Sequence, residues 1–205
     1  MPTIGERVKY AIDHMGRGET YAALEHACNA LDVTSQRYYE HKKSSNKIFK
    51  SLIKEYSWLI EFMSLGGINL DETTFDNFPI TDGFGKPILK PYFSDLMYHV
   101  VRCGLVHSDS LSKGFSFHEE GGVILAEQTI VFPASLVWGI LSISIFCPIN
   151  KNEITAPDYW IGLFKNQLII NDFWGNEGVA RHIVSRYPHP RITLTNLSNL
   201  KMIDS

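Results

Sequence analysis

The stretch Tyr98-His-Val-Val-Arg102-Cys-Gly-Leu-Val-His107-Ser-Asp109 decides how this chain is read. Met97, Val100, Val101, Gly104, Leu105 and Val106 give it the apolar surface of the last turns of a buried helix. Into that surface are set an arginine, a histidine five positions later and an aspartate two beyond that. Desolvated polar groups must find partners or lose free energy, so this pairing asks for a use. Pro91 is expected to open the helix, His107 to end it, and Ser108-Asp-Ser110 to close it.

Upstream, the apolar spacing predicts three more helices. Residues 4–16 carry Val8, Ile12 and Met15 on one side, and Gly16 and Gly18 break the pattern. With Thr20 as N-cap, a second helix runs from Tyr21 to about His41, its core stripe being Leu24, Ala27, Cys28, Leu31, Ser35 and Tyr38. A second stripe of Glu25, Asn29, Asp32 and Gln36 has two readings. It is either a solvated face, or it sets Asn29 or Asp32 beside the Arg102 helix to orient it. A third helix, Asn46 to about Met63, carries Lys47, Lys50 and Lys54 on a face of its own. Those lysines either solubilise the helix or steer nucleic-acid phosphates.

Residues 65–90, with Pro79, Gly83, Gly85 and Pro87, read as a long wrapping connection with a scrap of strand near Phe78-Pro-Ile80. From Gly114 the period shortens. A small hairpin or meander is expected over about 114–132, and a second hairpin over Trp160 to Ile170, with a last helix from Glu177 to Arg186. Between them, Gln128 to Asn150 holds no charged residue. The helix inside it, about 133–147, spans roughly 22 Å against the ~30 Å of a hydrocarbon core, so a buried core helix is expected rather than a membrane span. Residues 1–150 are thus read as one helical domain with an inserted hairpin. Residues 151–205 pack on it as hairpin, short helix and polar tail.

Composition bounds the rest. The chain has 205 residues, 44% hydrophobic and 20% charged, which is ordinary globular composition. A net charge of −3 excludes nucleic-acid binding by bulk charge, so any RNA site must be local. Cys28, Cys103 and Cys147 are far apart, lack metal-ligand spacing and fit a reducing cytoplasm. The first residues show no secretion signal. No Gly-rich phosphate loop and no Gly-x-Ser-x-Gly elbow is present, which disfavours nucleotide hydrolysis and acyl transfer.

The Arg-x4-His spacing at the end of an apolar helix, in "YHVVRCGLVH" after "EHACNALDVTSQRYYEH", resembles the HEPN superfamily of helical domains. These occur in prokaryotic toxins, phage-defence proteins and RNA-processing nucleases. The resemblance covers roughly residues 4–150. It implies a mainly α fold, a HEPN-like helical bundle, here with two small appended β-hairpins. It also implies metal-independent RNA cleavage without any cofactor, in a two-fold homodimer that an antitoxin protein can accompany. Arg102 would stabilise the crowded phosphate and His107 would move the proton. Tyr98 and Asp109 would support them, with Asn29 and Asp32 behind and Lys47, Lys50 and Lys54 meeting RNA. Five residues of α-helix turn about 500°, leaving Arg102 and His107 ~140° apart, so one helix does not aim both at one phosphate. Two facing helices do, and Gly104 suits their close approach.

Other classes stay open. In one, His107 caps helix carbonyls while Arg102 pairs with Asp95 or Asp109, making a non-catalytic dimerisation module. Cys103, where the family's nucleases often carry a polar residue, is the best argument for it. A metal-binding hydrolase built on His107, Asp109 and His118, with Glu119 nearby, has looser spacing.

Overall fold

A computed structural model describes residues 2–104, 114–119, 122–126, 128–163, 165–187 and 190–194. Helix α1 (Ile4–Gly16) starts at a capping box, with Thr3 Oγ1 accepting from the Glu6 amide and Glu6 answering at the Thr3 amide. Gly18, at φ +73, turns the chain into α2 (Thr20–Tyr38), which packs along α1. The core stripe of α2 follows its predicted spacing from Leu24 through Ala27, Cys28 and Leu31 to Ser35, whereas Tyr38, expected at its end, is only half-buried. The expected third helix is two. Helix α3 (Asn46–Glu55) and α4 (Ser57–Ser64) meet at Tyr56, whose ring is buried and whose hydroxyl donates to Glu177 at 2.7 Å.

Strands β1 (Ile80–Thr81) and β2 (Pro87–Ile88) form an antiparallel ladder inside the long connection. Helix α5 (Phe93–Asp95) then runs straight into a π-helical segment, Leu96–Arg102. Strands β3 (Phe115–His118), β4 (Ile124–Ala126) and β5 (Thr129–Pro133) make a sheet in the order β3-β5-β4. Helix α6 (Leu136–Phe146) follows. Strands β6 (Trp160–Leu163) and β7 (Asn166–Ile169) form the second expected hairpin, continued by α7 (Ile170–Phe173) and α8 (Glu177–Arg186).

The expectation of a mainly α helical bundle with two appended hairpins is corrected by these elements. Helix takes 51% and strand 16%, with three small sheets and eight α-helices among the described residues, a mixed α/β architecture. Two sheets account for the difference. The β1–β2 ladder is only two residues a side, too short to alternate visibly. In the second sheet β3 pairs with β5 in parallel, Phe115 opposite Ile130 and His118 opposite Pro133, so the hairpin is β4–β5 alone.

Helix α6 lies at the centre, against α2 and α4. All of its residues but Trp138 are buried. Gly139 lets α4 in, since a Cβ there would sit 2.7 Å from Ser64 Oγ. The helix's serines are satisfied internally. Ser142 bonds the Gly139 carbonyl, and Thr34 bonds Ser144 while Asn150 Nδ2 donates to Thr34 and to the Ser144 carbonyl. No helix among the described residues is long and apolar enough to cross a membrane. At the far side, Arg191 grips Glu61 by two bonds of 2.8 Å and also reaches Asn69 and Asp71. The Glu61 side chain is 1% exposed.

Candidate functional site

The π segment is the local device that builds the site. Its last amide, at Cys103, bonds back to the Tyr98 carbonyl, five residues earlier. Such wide turns are rare and recur at functional sites. They also shift the face on which each side chain emerges relative to an α-helix. Leu96, Met97, Val100 and Val101 still go into the core, and Tyr98, His99 and Arg102 come out half-buried.

Arg102 points to α2. Its Nη2 donates to Ser44 Oγ at 3.2 Å and to Asp32 Oδ2 at 3.4 Å, and Ser44 in turn donates to Asp32 Oδ1 at 2.5 Å. The guanidinium lies 5.2 Å from the centre of the Tyr98 ring, which is itself set edge-on against buried Phe49. Burial opposes the Arg102 charge, yet Asp32, Tyr98 and Cys103 outweigh it and raise its pKa. Of the orienting residues expected on α2, Asp32 reaches Arg102. Asn29, three residues earlier, is half-buried and makes no bond to it among the described residues. Cys28, on the same helix, is fully buried, which pushes its thiol up to about 12 and makes it inert.

The expected alternative pairing of Arg102 with Asp95 does not occur. Asp95 is taken by Lys50, at 2.7 Å, and by the Tyr92 amide at 3.0 Å, where it caps α5. Lys54 lies 5.1 Å from the centre of the Tyr92 ring. Two of the three lysines assigned to RNA therefore brace the start of the motif helix, while Lys47 is exposed. His107 and Asp109 lie outside the described residues. His118 bonds the Gly122 carbonyl at 2.7 Å from β3, and no group of three His, Cys, Asp or Glu side chains among the described residues is placed to hold a metal ion.

Three residues of the site, His99, Ser44 and Asn46, escaped the sequence reading. His99 sits against Tyr98, ring centres 5.0 Å apart, with its Nε2 3.4 Å from Asn46 Nδ2. Ser44 and Asn46 are two residues apart, within about 7 Å along the chain, so one short strip at the start of α3 touches both Arg102 and His99. His99 also lines a cleft of about 420 Å³ with Phe78, Ile80 and Gln128. Burial first, and then Lys50, lower its pKa, so its imidazole is neutral near pH 7 and able to accept a proton. The signal was in the sequence, as a second histidine three residues before the arginine. An α-helical reading gave no reason to prefer it.

The model of the Rv1289 family matches residues 3–200, and the chain belongs to that family. It is similar to "Uncharacterized protein Rv1289" of Mycobacterium tuberculosis and to "Uncharacterized protein Mb1320" of Mycobacterium bovis. Each is 26% identical over 188 residues, which cover 89% of this chain and 88% of the relative. No solved structure matches the chain.

Proposed function

We propose that this protein is a metal-independent endoribonuclease of HEPN type, acting in the cytoplasm as a two-fold dimer through its Arg102 helix. The observation that carries the reading is the presentation of Arg102. Its guanidinium is half-buried and held by Asp32, Ser44 and Tyr98 at the end of a π-helical segment. Both of those hydrogen bonds leave from Nη2. A planar fork held along one edge is suited to phosphate oxygens along another. The ribose 2′-oxygen bonds to phosphorus and the bond from phosphorus to the 5′-oxygen breaks. One imidazole takes the 2′-proton and a second supplies a proton to the leaving oxygen, giving a cyclic phosphate and a free 5′-hydroxyl. His107 is the first candidate for this work, with Asp109 orienting it. Two-fold symmetry brings a copy from each chain to one cleft. His99 is a further neutral imidazole on the same segment. Lys47 has the exposure to meet RNA directly.

The test compares wild type with Arg102→Ala and His107→Ala on total RNA. Both variants are expected to lose cleavage by at least about 10²-fold with helix content unchanged, and chelator is expected to have no effect. Lys50→Ala is expected to lose much less. Restoration of chelator-treated activity by added metal would move the site to His107, Asp109 and His118.

A second reading is favoured by the same bonds. Arg102, satisfied by Asp32 and Ser44, also fits a non-catalytic module whose pair holds two chains together. In that case wild type shows no RNA turnover and His107→Ala dissociates the dimer.

A further inference from the structure

A large cleft among the described residues lies away from Arg102, where α1, α4, α6 and the start of β6 meet. It holds about 700 Å³, the size of a small-molecule site. Its walls are Ile12 and Met15 from α1, Met63 from α4, Trp138 from α6, and Tyr159 and Trp160 at the head of β6. We propose that this cleft binds a small organic cation with an apolar body, of the alkylated ammonium type.

Three observations converge on that ligand class. First, the aromatic residues are held at the surface against the usual preference. Trp138 is the single residue of α6 that is not buried, and Trp160 is 50% exposed. Second, Tyr159 is fixed in place and already accepts an ammonium. Its hydroxyl donates to Asp13 Oδ1 at 2.5 Å, and Lys9 Nζ lies 5.4 Å from its ring centre while pairing with Asp13. Third, among the eleven residues that line the cleft, Asp158 is the one with a charge at neutral pH. A carboxylate or phosphate ligand would meet that charge with no base to answer it. A neutral apolar ligand would gain nothing from it. Aromatic faces, polarisable thioethers and one carboxylate at the rim are the surroundings in which an alkylated ammonium is bound well. Lys9 does not oppose this, because Asp13 neutralises it.

The experiment uses the intact protein and follows tryptophan fluorescence, with calorimetry as a second readout, at constant ionic strength. The probes are choline, tetramethylammonium and the neutral isostere 3,3-dimethylbutan-1-ol. The two cations are expected to saturate, with the isostere weaker by at least about tenfold. Trp160→Ala and Asp158→Asn, both at exposed positions, are expected to weaken choline by at least about threefold. Asp158→Asn should leave the isostere unchanged. Equal binding of cation and isostere would overturn the proposal in favour of a merely apolar cleft. Saturable binding that neither variant alters, or no saturation with any probe, would overturn it as well. None of these outcomes depends on RNA cleavage.

Discussion

Asp32 shows what one side chain does in this molecule. It neutralises Arg102, accepts from Ser44 and fixes the direction of the guanidinium. Asp32→Ala is expected to cost about 1–3 kcal/mol, less than a fully buried pair because both side chains keep some contact with water. Chemical denaturation measures it, and Asp32→Asn should recover part of the loss. The histidines supply a second test. His26, pressed between His14 and Tyr10 with its Nδ1 buried and unbonded among the described residues, has its pKa lowered by burial first and then by His14 and Arg7, against Glu25. His99 is lowered too. In the unfolded chain both return to about 6.5. Above that pH neither state is charged and they contribute nothing. As pH falls through 6.5 the unfolded state takes its protons first, and stability drops until the folded pKa values are passed. Tm is therefore expected to fall as pH drops below about 6.5, and His26→Gln should flatten the slope. The carboxylates act later. Glu19, held low by His14 and Arg17, and Asp82, held low by the backbone amides of Lys86 and Phe84, lose their contributions only below about pH 4.5. An unchanged slope in His26→Gln would refute the assignment. Asp32 was legible beforehand because its stripe recurs on one helix face. His99 was not, because its partner Asn46 is 53 residues away and the turn that exposes it is not α-helical.

Elements were legible where their pattern is long. Helices α1 and α2, the apolar α6, the β6–β7 hairpin and α8 all lie where apolar spacing and turn residues put them. Two features were hidden for physical reasons. The break between α3 and α4 falls at Tyr56, whose buried ring and bond to Glu177, 121 residues on, are long-range features that no local residue announces. The parallel pairing of β3 with β5 is likewise a long-range choice, made where a turn at Glu119-Glu-Gly-Gly122 would have produced a simple meander. The packing of α1 makes a sharp prediction. Gly5 is buried in its first turn, where a Cβ would lie 1.9 Å from the Ile154 carbonyl oxygen. Thr155 bonds the Gly5 carbonyl and Glu153 its amide, so the crossing segment has little room to retreat. Gly5→Ala is expected to destabilise by about 1–3 kcal/mol or more, whereas Gly16→Ala, which meets nothing within 4 Å, should be close to neutral. Equal melting temperatures for the two variants would contradict this packing.

At the scale of the whole molecule, one hydrophobic cluster runs from Ile4 to Ile183 and draws on both halves of the chain. The proposed dimer belongs to this scale. Sedimentation at micromolar concentration is expected to show twice the 23.3 kDa of the chain, and a species of chain mass alone would remove both the dimer and the shared cleft. The grip of Arg191 on Glu61 adds a constraint of a different kind, one of timing. The acid on α4 is synthesised 130 residues before the base that neutralises it. At elongation rates of about 5–20 residues per second, that interval is on the order of ten seconds. Throughout it, a newborn chain still on the ribosome has a carboxylate bound for a dry interior and no counter-ion to take there. The early helices must therefore wait with that carboxylate in water, and translation rather than collapse sets the earliest moment at which that side of the molecule can seal.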